Sequence, residues 1–309
     1  MPTPSFTSHP LSAPDQAAMA VLRAATAPFK GKLAGPAARP LFAARMSATP
    51  AAVGVAYEAA TVGGVPGYWC RPAASPAATA ILYLHGGAYV LGSAEAFRHL
   101  AGQVAARAGI DCFVPDYRLA PEHPFPAAVT DAVAAYRGLA ALGKRRLALA
   151  GDSAGGGLAL VTLATTSATP DLPTPVAAAV FSPWTDLALT GASLETRAEA
   201  DLAFTKEMPL GASARLYLAG HDAHDPQASP LYGTLAGLPP VQLHVGDDEL
   251  LLDDSLRYAA GVQAAGGHAE LHLWLGMGHV FPAGVGTLEA AGQALASTGD
   301  FLRQHVALS

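Results

Sequence analysis

Three groups of residues in this chain have the types and spacing that acyl transfer demands. The first is Gly151-Asp152-Ser153-Ala154-Gly155, a G-x-S-x-G pentapeptide. Composition alone would place roughly 0.2 such matches in a chain of this size, so context decides its meaning. An apolar run at 147–150 precedes it and a helix-compatible stretch at 155–164 follows. Strand, tight turn and helix in that order expose a serine hydroxyl on a strained corner, with glycines where side chains would collide. The following helix aims its first N–H groups at developing negative charge. The bland counterpart is an ordinary glycine-rich βα turn.

The second group is His85-Gly86-Gly87-Ala88-Tyr89, directly after the apolar run AILYL. A tetrahedral oxyanion needs two or more fixed donors, and consecutive glycines leave their N–H groups open to an approaching carbonyl oxygen. The candidate donors are Gly86, Gly87 and the residue after the serine, Ala154. The third group supplies a base and its orienting acid. Of eleven histidines, His279 stands out, in a Gly276-Met277-Gly278-His279-Val280-Phe281 loop past the last apolar run. The loop after VQLHVG offers Asp247-Asp248-Glu249-Leu250 for the acid. The chain order serine, acid, histidine differs from that of chymotrypsin or subtilisin and matches the α/β-hydrolases.

These residues need a scaffold that brings distant loops to one edge. Strand-like runs at 80–85, 110–117, 147–151, 176–182, 241–246 and 269–275 alternate with helical stretches at 94–108, 126–141, 155–167, 253–265 and about 286–306. Continuous apolarity marks strands covered on both faces, and the alternation predicts a mostly parallel sheet between helices. An antiparallel hairpin at 53–71, split at Gly63-Gly64, brings the expected count to about eight strands. In open sheets of this kind, ligands bind at the carboxyl ends of the strands, where all three groups fall. Residues 1–48, punctuated by prolines, and 188–228 break the alternation and are expected as peripheral helices over one end.

Composition narrows the field. The chain has 309 residues, 51% hydrophobic and 14% charged, which fits a sizeable core and excludes disorder. Glycine (32) and proline (25) follow no period, so collagen-like readings fail. A net charge of −6 is a poor footprint for nucleic acid. Two cysteines, Cys70 and Cys112, are too few for a disulfide framework and sit in strand-like runs, as buried thiols would. With no bilayer-length apolar window and no secretory pattern in the first twenty residues, a cytoplasmic protein without a membrane partner is expected. His221-Asp222-Ala223-His224-Asp225 has metal-ligand residue types but reads as a solvated or capping cluster, so no metal and no organic cofactor is expected.

Taken together, HGGAYVLGS at 85–93, DYRLAPE at 116–122, GDSAGG at 151–156, Asp248-Glu249-Leu250 and Gly278-His279 resemble the bacterial hormone-sensitive-lipase family of esterases over about residues 78–285. The resemblance implies an α/β-hydrolase core, 49–187 and 229–309, with a helical cap from 1–48 and 188–228, in a single domain. It implies Ser153 as nucleophile, His279 as base, Asp248 as orienting acid, and Gly86, Gly87 and Ala154 as oxyanion donors. Ala88 stands where the family motif usually has a further glycine. Arg118 and Glu122 are implied to brace the oxyanion loop, and a homodimer through an edge strand is frequent among similar esterases. The expected substrate is a short- to medium-chain carboxylic ester, a small uncharged molecule, with Tyr89, Phe204, Met208 and Tyr217 as substrate-binding residues. The rivals are a lactone hydrolase with the same triad and a binding protein that kept the fold without catalysis, for which a missing histidine would be the sign.

Overall fold

A computed structural model describes residues 5–308 of the chain. Among these residues nine strands form one sheet: β1 (Thr7–His9), β2 (Val55–Val62), β3 (Val65–Pro72), β4 (Thr79–Leu84), β5 (Cys112–Pro115), β6 (Arg146–Asp152), β7 (Ala177–Phe181), β8 (Val241–Gly246) and β9 (Ala269–Trp274). Their order across the sheet is β1-β9-β8-β7-β6-β4-β5-β3-β2. Only the β2–β3 and β3–β5 pairings are antiparallel; every other named pair runs parallel.

Alternation along the central strands feeds two separate apolar layers. On one face Leu82, Leu84, Leu147, Leu149, Val180 and Leu243 pack under α4 (Ala127–Ala141), α5 (Ser153–Ser167) and α8 (Leu252–Ala264). On the other, Ile81, Tyr83, Ala148, Ala150, Ala179 and Phe181 pack under α3 (Ala94–Ala108) and α9 (Glu289–Leu308). Each such side chain is fully buried, worth about 1.5–3 kcal/mol for a large aliphatic group. A sheet covered on both faces is why the runs read as continuously apolar.

The ninth strand corrects the expected count of eight. Residues 7–9 lie in a segment expected to be helical or irregular, yet they pair in parallel with His272, Leu273 and Trp274. The reason is side-chain pairing rather than propensity: the His9 ring stacks on Trp274 at 3.8 Å, and its Nε2 sits 2.9 Å from His272 Nδ1. The rest of that segment is α1 (Ala13–Thr26) and α2 (Arg39–Ser47), with two single 3-10 turns, Ala27–Phe29 and Pro36–Ala38, between them. The second interruption holds α6 (Ser193–Thr196) and α7 (Leu210–Leu218).

These two interruptions touch each other. Arg23 donates to the Ala200 carbonyl at 2.7 Å, and Gly31 N–H to Ala203 at 2.8 Å. Cys70 and Cys112 face one another across β3 and β5, both as buried free thiols. Among the described residues, no helix is long and apolar enough to cross a membrane.

Candidate active site

Ser153 sits between the end of β6 and the first turn of α5, with φ at +54°. A non-glycine residue in that region is strained, and the neighbouring glycines make the corner possible. A Cβ on Gly155 would lie 2.1 Å from the Leu84 carbonyl oxygen, so no side chain fits there. The turn leaves the Ser153 hydroxyl 2.8 Å from His279 Nε2. His279 comes from the loop between β9 and α9, where Val280 N–H donates to Ser182 Oγ at 3.1 Å.

The other ring nitrogen, Nδ1, donates to Glu249 Oε2 at 2.7 Å, which leaves Nε2 free to accept from serine. Glu249 is fully buried, and its second oxygen accepts from Gly246 N–H at 2.7 Å and from Ser182 Oγ at 2.8 Å. The acid expected at Asp248 is therefore corrected to Glu249. Asp248 turns the other way into an ion pair with Arg23, and Asp247 accepts from Gly276 N–H. Three acidic residues follow β8 in succession, and only the third reaches inward.

The oxyanion loop also departs from expectation at one residue. Gly86 N–H donates to Asp152 Oδ1 at 3.1 Å, so it is committed to the protein rather than to a ligand. Gly87 and Ala88 line the cavity beside Ser153, and neither N–H has a protein acceptor among the described residues. Asp152, inside the serine motif, is the hub that sequence reasoning missed. Its Oδ1 also accepts from the Tyr83 hydroxyl at 2.8 Å. Burial pushes its carboxyl up to about 7, against the opposing pull of those two donors and of His279.

Within DYRLAPE, Tyr117 donates its hydroxyl to the His85 carbonyl at 2.6 Å, and Ala120 N–H reaches Tyr89 O at 2.9 Å. Arg118, expected to brace this loop, instead forks onto Asp131 of α4. Glu122 acts through Arg39, whose Nε donates to Val90 O at 2.8 Å.

A cavity of about 140 Å³ opens above Ser153, walled by Phe29, Phe42, Phe97 and Phe204. A second, wider one of about 360 Å³ shares His279 and lies toward Met19, Thr49 and Thr287. Of the four expected substrate-binding residues, Phe204 lines the first cavity, with its ring 4.6 Å from that of His279. Asp201 fixes it there, accepting from Phe204 N–H and, through its other oxygen, from Leu250 N–H beside Glu249. Tyr89 and Tyr217 are corrected: they stack on one another at 3.8 Å in the core, each 1% exposed. Met208 is corrected as well, since it faces solvent while Pro209 lines the wall. His221 and His224 hold no shared ligand position: His224 bonds Asp222 and His221 meets the edge of Phe125.

A serine at a strand-to-helix corner, a histidine from a later loop and a glutamate after β8, on a largely parallel sheet, define an α/β-hydrolase. The family model described as alpha/beta hydrolase fold matches residues 81–283. An acetyl-hydrolase from Streptomyces hygroscopicus is 42% identical over 80% of this chain and 85% of its own length. An esterase from Acinetobacter venetianus is 35% identical over 77% and 78% respectively. Among solved structures, an esterase from the bacterial hormone-sensitive lipase family superposes with TM-score 0.88 at 38% identity, over 96% of this chain and 99% of that one. The chain belongs to this bacterial hormone-sensitive-lipase family, a group of ester-hydrolysing serine hydrolases within the α/β-hydrolase fold.

Proposed function

We propose that this protein is a serine carboxylesterase that cleaves short- to medium-chain esters through an acyl-enzyme on Ser153. The observation that carries this is the continuous hydrogen-bonded line Ser153–His279–Glu249, at 2.8 and 2.7 Å. In the proposed cycle, Ser153 Oγ attacks the ester carbonyl carbon as its proton passes to His279 Nε2. The carbonyl oxygen gains charge among the N–H groups of Gly87, Ala88 and Ala154. His279 then hands its proton to the departing alkoxide, and the acyl group stays on serine. Water, deprotonated by the same nitrogen, attacks the acyl carbon and frees the acid. Glu249 holds the imidazole in the useful tautomer and offsets its positive charge.

Residues 1–48 and 188–228 serve as a cap over a single catalytic domain made of 49–187 and 229–309. Four phenylalanine rings around a small cavity favour short acyl chains. A cytoplasmic location and a homodimer through an edge strand belong to the same proposal. Lactone cleavage by the same line of residues is the second reading; a non-catalytic binding role is disfavoured by the complete line itself.

The test is hydrolysis of p-nitrophenyl acetate, butyrate, octanoate and laurate by the wild type and Ser153→Ala. Turnover that is highest on the short chains and lost in the variant is expected. Equal turnover in the two proteins would refute the assignment.

A further inference from the structure

Arg45, on α2, has a cationic head with no partner among the described residues. Three other cations of the N-terminal segment are paired, Arg23 by Asp248 and the Ala200 carbonyl, Lys30 by the Ala198 carbonyl and Arg39 by Glu122, while Lys32 is exposed and lines neither cavity. Arg45 makes no hydrogen bond or ion pair to any described residue. The residue is exposed to solvent overall, while the groups packed around it hold its pKa below the ordinary arginine value. A guanidinium with no protein acceptor keeps its fork of donors free for a carboxylate ligand. Among the described residues nothing pairs it, and the position is the wall that both cavities share with His279.

The two cavities differ in what they suit. Ser153, Gly87 and Ala88 line the smaller one, which also has the phenylalanine walls. The larger touches the reaction through His279 and adds the hydroxyl-bearing Thr49 and Thr287. Because His279 must protonate the departing oxygen, the alcohol portion of an ester lies on its side. Both cavities reach His279, but the larger is not lined by Ser153 and has the greater room, so the alcohol is assigned to it, with Arg45 in its wall.

We propose that Arg45 is a specificity residue for esters whose alcohol portion carries a carboxylate, which its planar guanidinium engages bidentately. The inference rests on the assignment of Ser153 and His279 above. A net charge of −6 works against anionic substrates at long range, so a local unpaired guanidinium is decisive for them.

The experiment compares 4-acetoxybutanoate with its neutral isostere 4-acetoxybutanamide, in the wild type, Arg45→Gln and Arg45→Lys. A mirrored pair carries the charge on the acyl side: monoethyl succinate and ethyl succinamate. The quantity read is the acid-to-amide ratio of kcat/KM, which cancels general damage to the site. Arg45→Gln should lower that ratio by about 10- to 100-fold for the acetoxy pair, mostly through KM, the range of one charge-assisted hydrogen bond. Arg45→Lys should restore part of it. An acetoxy ratio unmoved by either variant overturns the inference, and a fall confined to the succinate pair overturns the placement of the charge. Wild-type protein inert toward all four esters would instead overturn the esterase assignment beneath it.

Discussion

Glu249→Gln and Asp248→Asn, neighbouring exchanges that each remove one negative charge, should have opposite consequences. In the wild type Glu249 Oε2 accepts from His279 Nδ1–H at 2.7 Å, with the carboxylate fully buried. Glutamine keeps an acceptor for Gly246 N–H and Ser182 Oγ, so its amide NH₂ must face the ring. Two donors then oppose each other, and the imidazole is driven to the tautomer with hydrogen on Nε2. That nitrogen can no longer accept from Ser153, whose Oγ lies 2.8 Å away. The equivalent acid-to-amide exchange in chymotrypsin-like enzymes costs ~10⁴ in kcat, about 5.5 kcal/mol of barrier.

Asp248 offers a contrast. Its partner Arg23 is 37% exposed and the carboxylate 22%, a setting in which an ion pair contributes about 0–1 kcal/mol. Asp248→Asn should therefore alter activity no more than about fivefold. The assay is kcat on p-nitrophenyl butyrate, with circular dichroism to verify folding. A loss of three or more powers of ten in Asp248→Asn, with Glu249→Gln near wild type, would refute the geometric reasoning.

Further outcomes follow from other contacts. Gly86→Ala would set a Cβ 2.2 Å from Asp152 Oδ2, forcing the oxyanion loop to shift. Its kcat should fall about 10²–10³-fold, the cost of a misplaced oxyanion donor, while urea titration still finds a folded protein. Phe204→Ala removes the ring 4.6 Å from His279, and kcat/KM for butyrate should drop about 5- to 30-fold, chiefly in KM. His244 is fully buried, and desolvation together with His272 and His9 holds its pKa well below 6.5. Glu270 opposes that shift, and Gln242 and Trp274 fill the ring's hydrogen bonds. The folded state keeps His244 neutral while the unfolded chain protonates it, so stability is complete above about pH 6.5 and lost as pH falls. Between pH 7.5 and 5.5 the wild type should lose about 1.4 kcal/mol more than His244→Gln in urea unfolding; equal losses would contradict the burial account.

The sequence displayed the parts of this fold that depend on alternation. Helix 94–108 and strand 241–246 fall where expected, because long apolar periodicity leaves few alternatives. Strand β1 escaped because three residues cannot show a period; His9 becomes a strand residue only once Trp274 and His272 lie beside it. Ser153 and His279 were legible from loops whose glycines exclude other geometries. Glu249 was not, since three acidic residues in a row differ only in the direction the backbone turns them. The sign that could have separated them is the Leu250-Leu251-Leu252 run, which anchors the loop in the core and pulls its nearest acid inward. Gly86 misled because a glycine N–H next to a histidine looks free until Asp152, 66 residues later, is seen to claim it. Tyr89 and Tyr217 misled for a similar reason, being aromatic residues near the site whose rings pack on each other.

The most direct test of the central assignment is intact-protein and peptide mass spectrometry after acid quenching of a reaction with p-nitrophenyl acetate. The account predicts a mass gain of one acetyl group, located on the peptide containing Ser153 and absent from Ser153→Ala. An acetylated residue elsewhere in the pocket, or undiminished hydrolysis by Ser153→Ala, would contradict it.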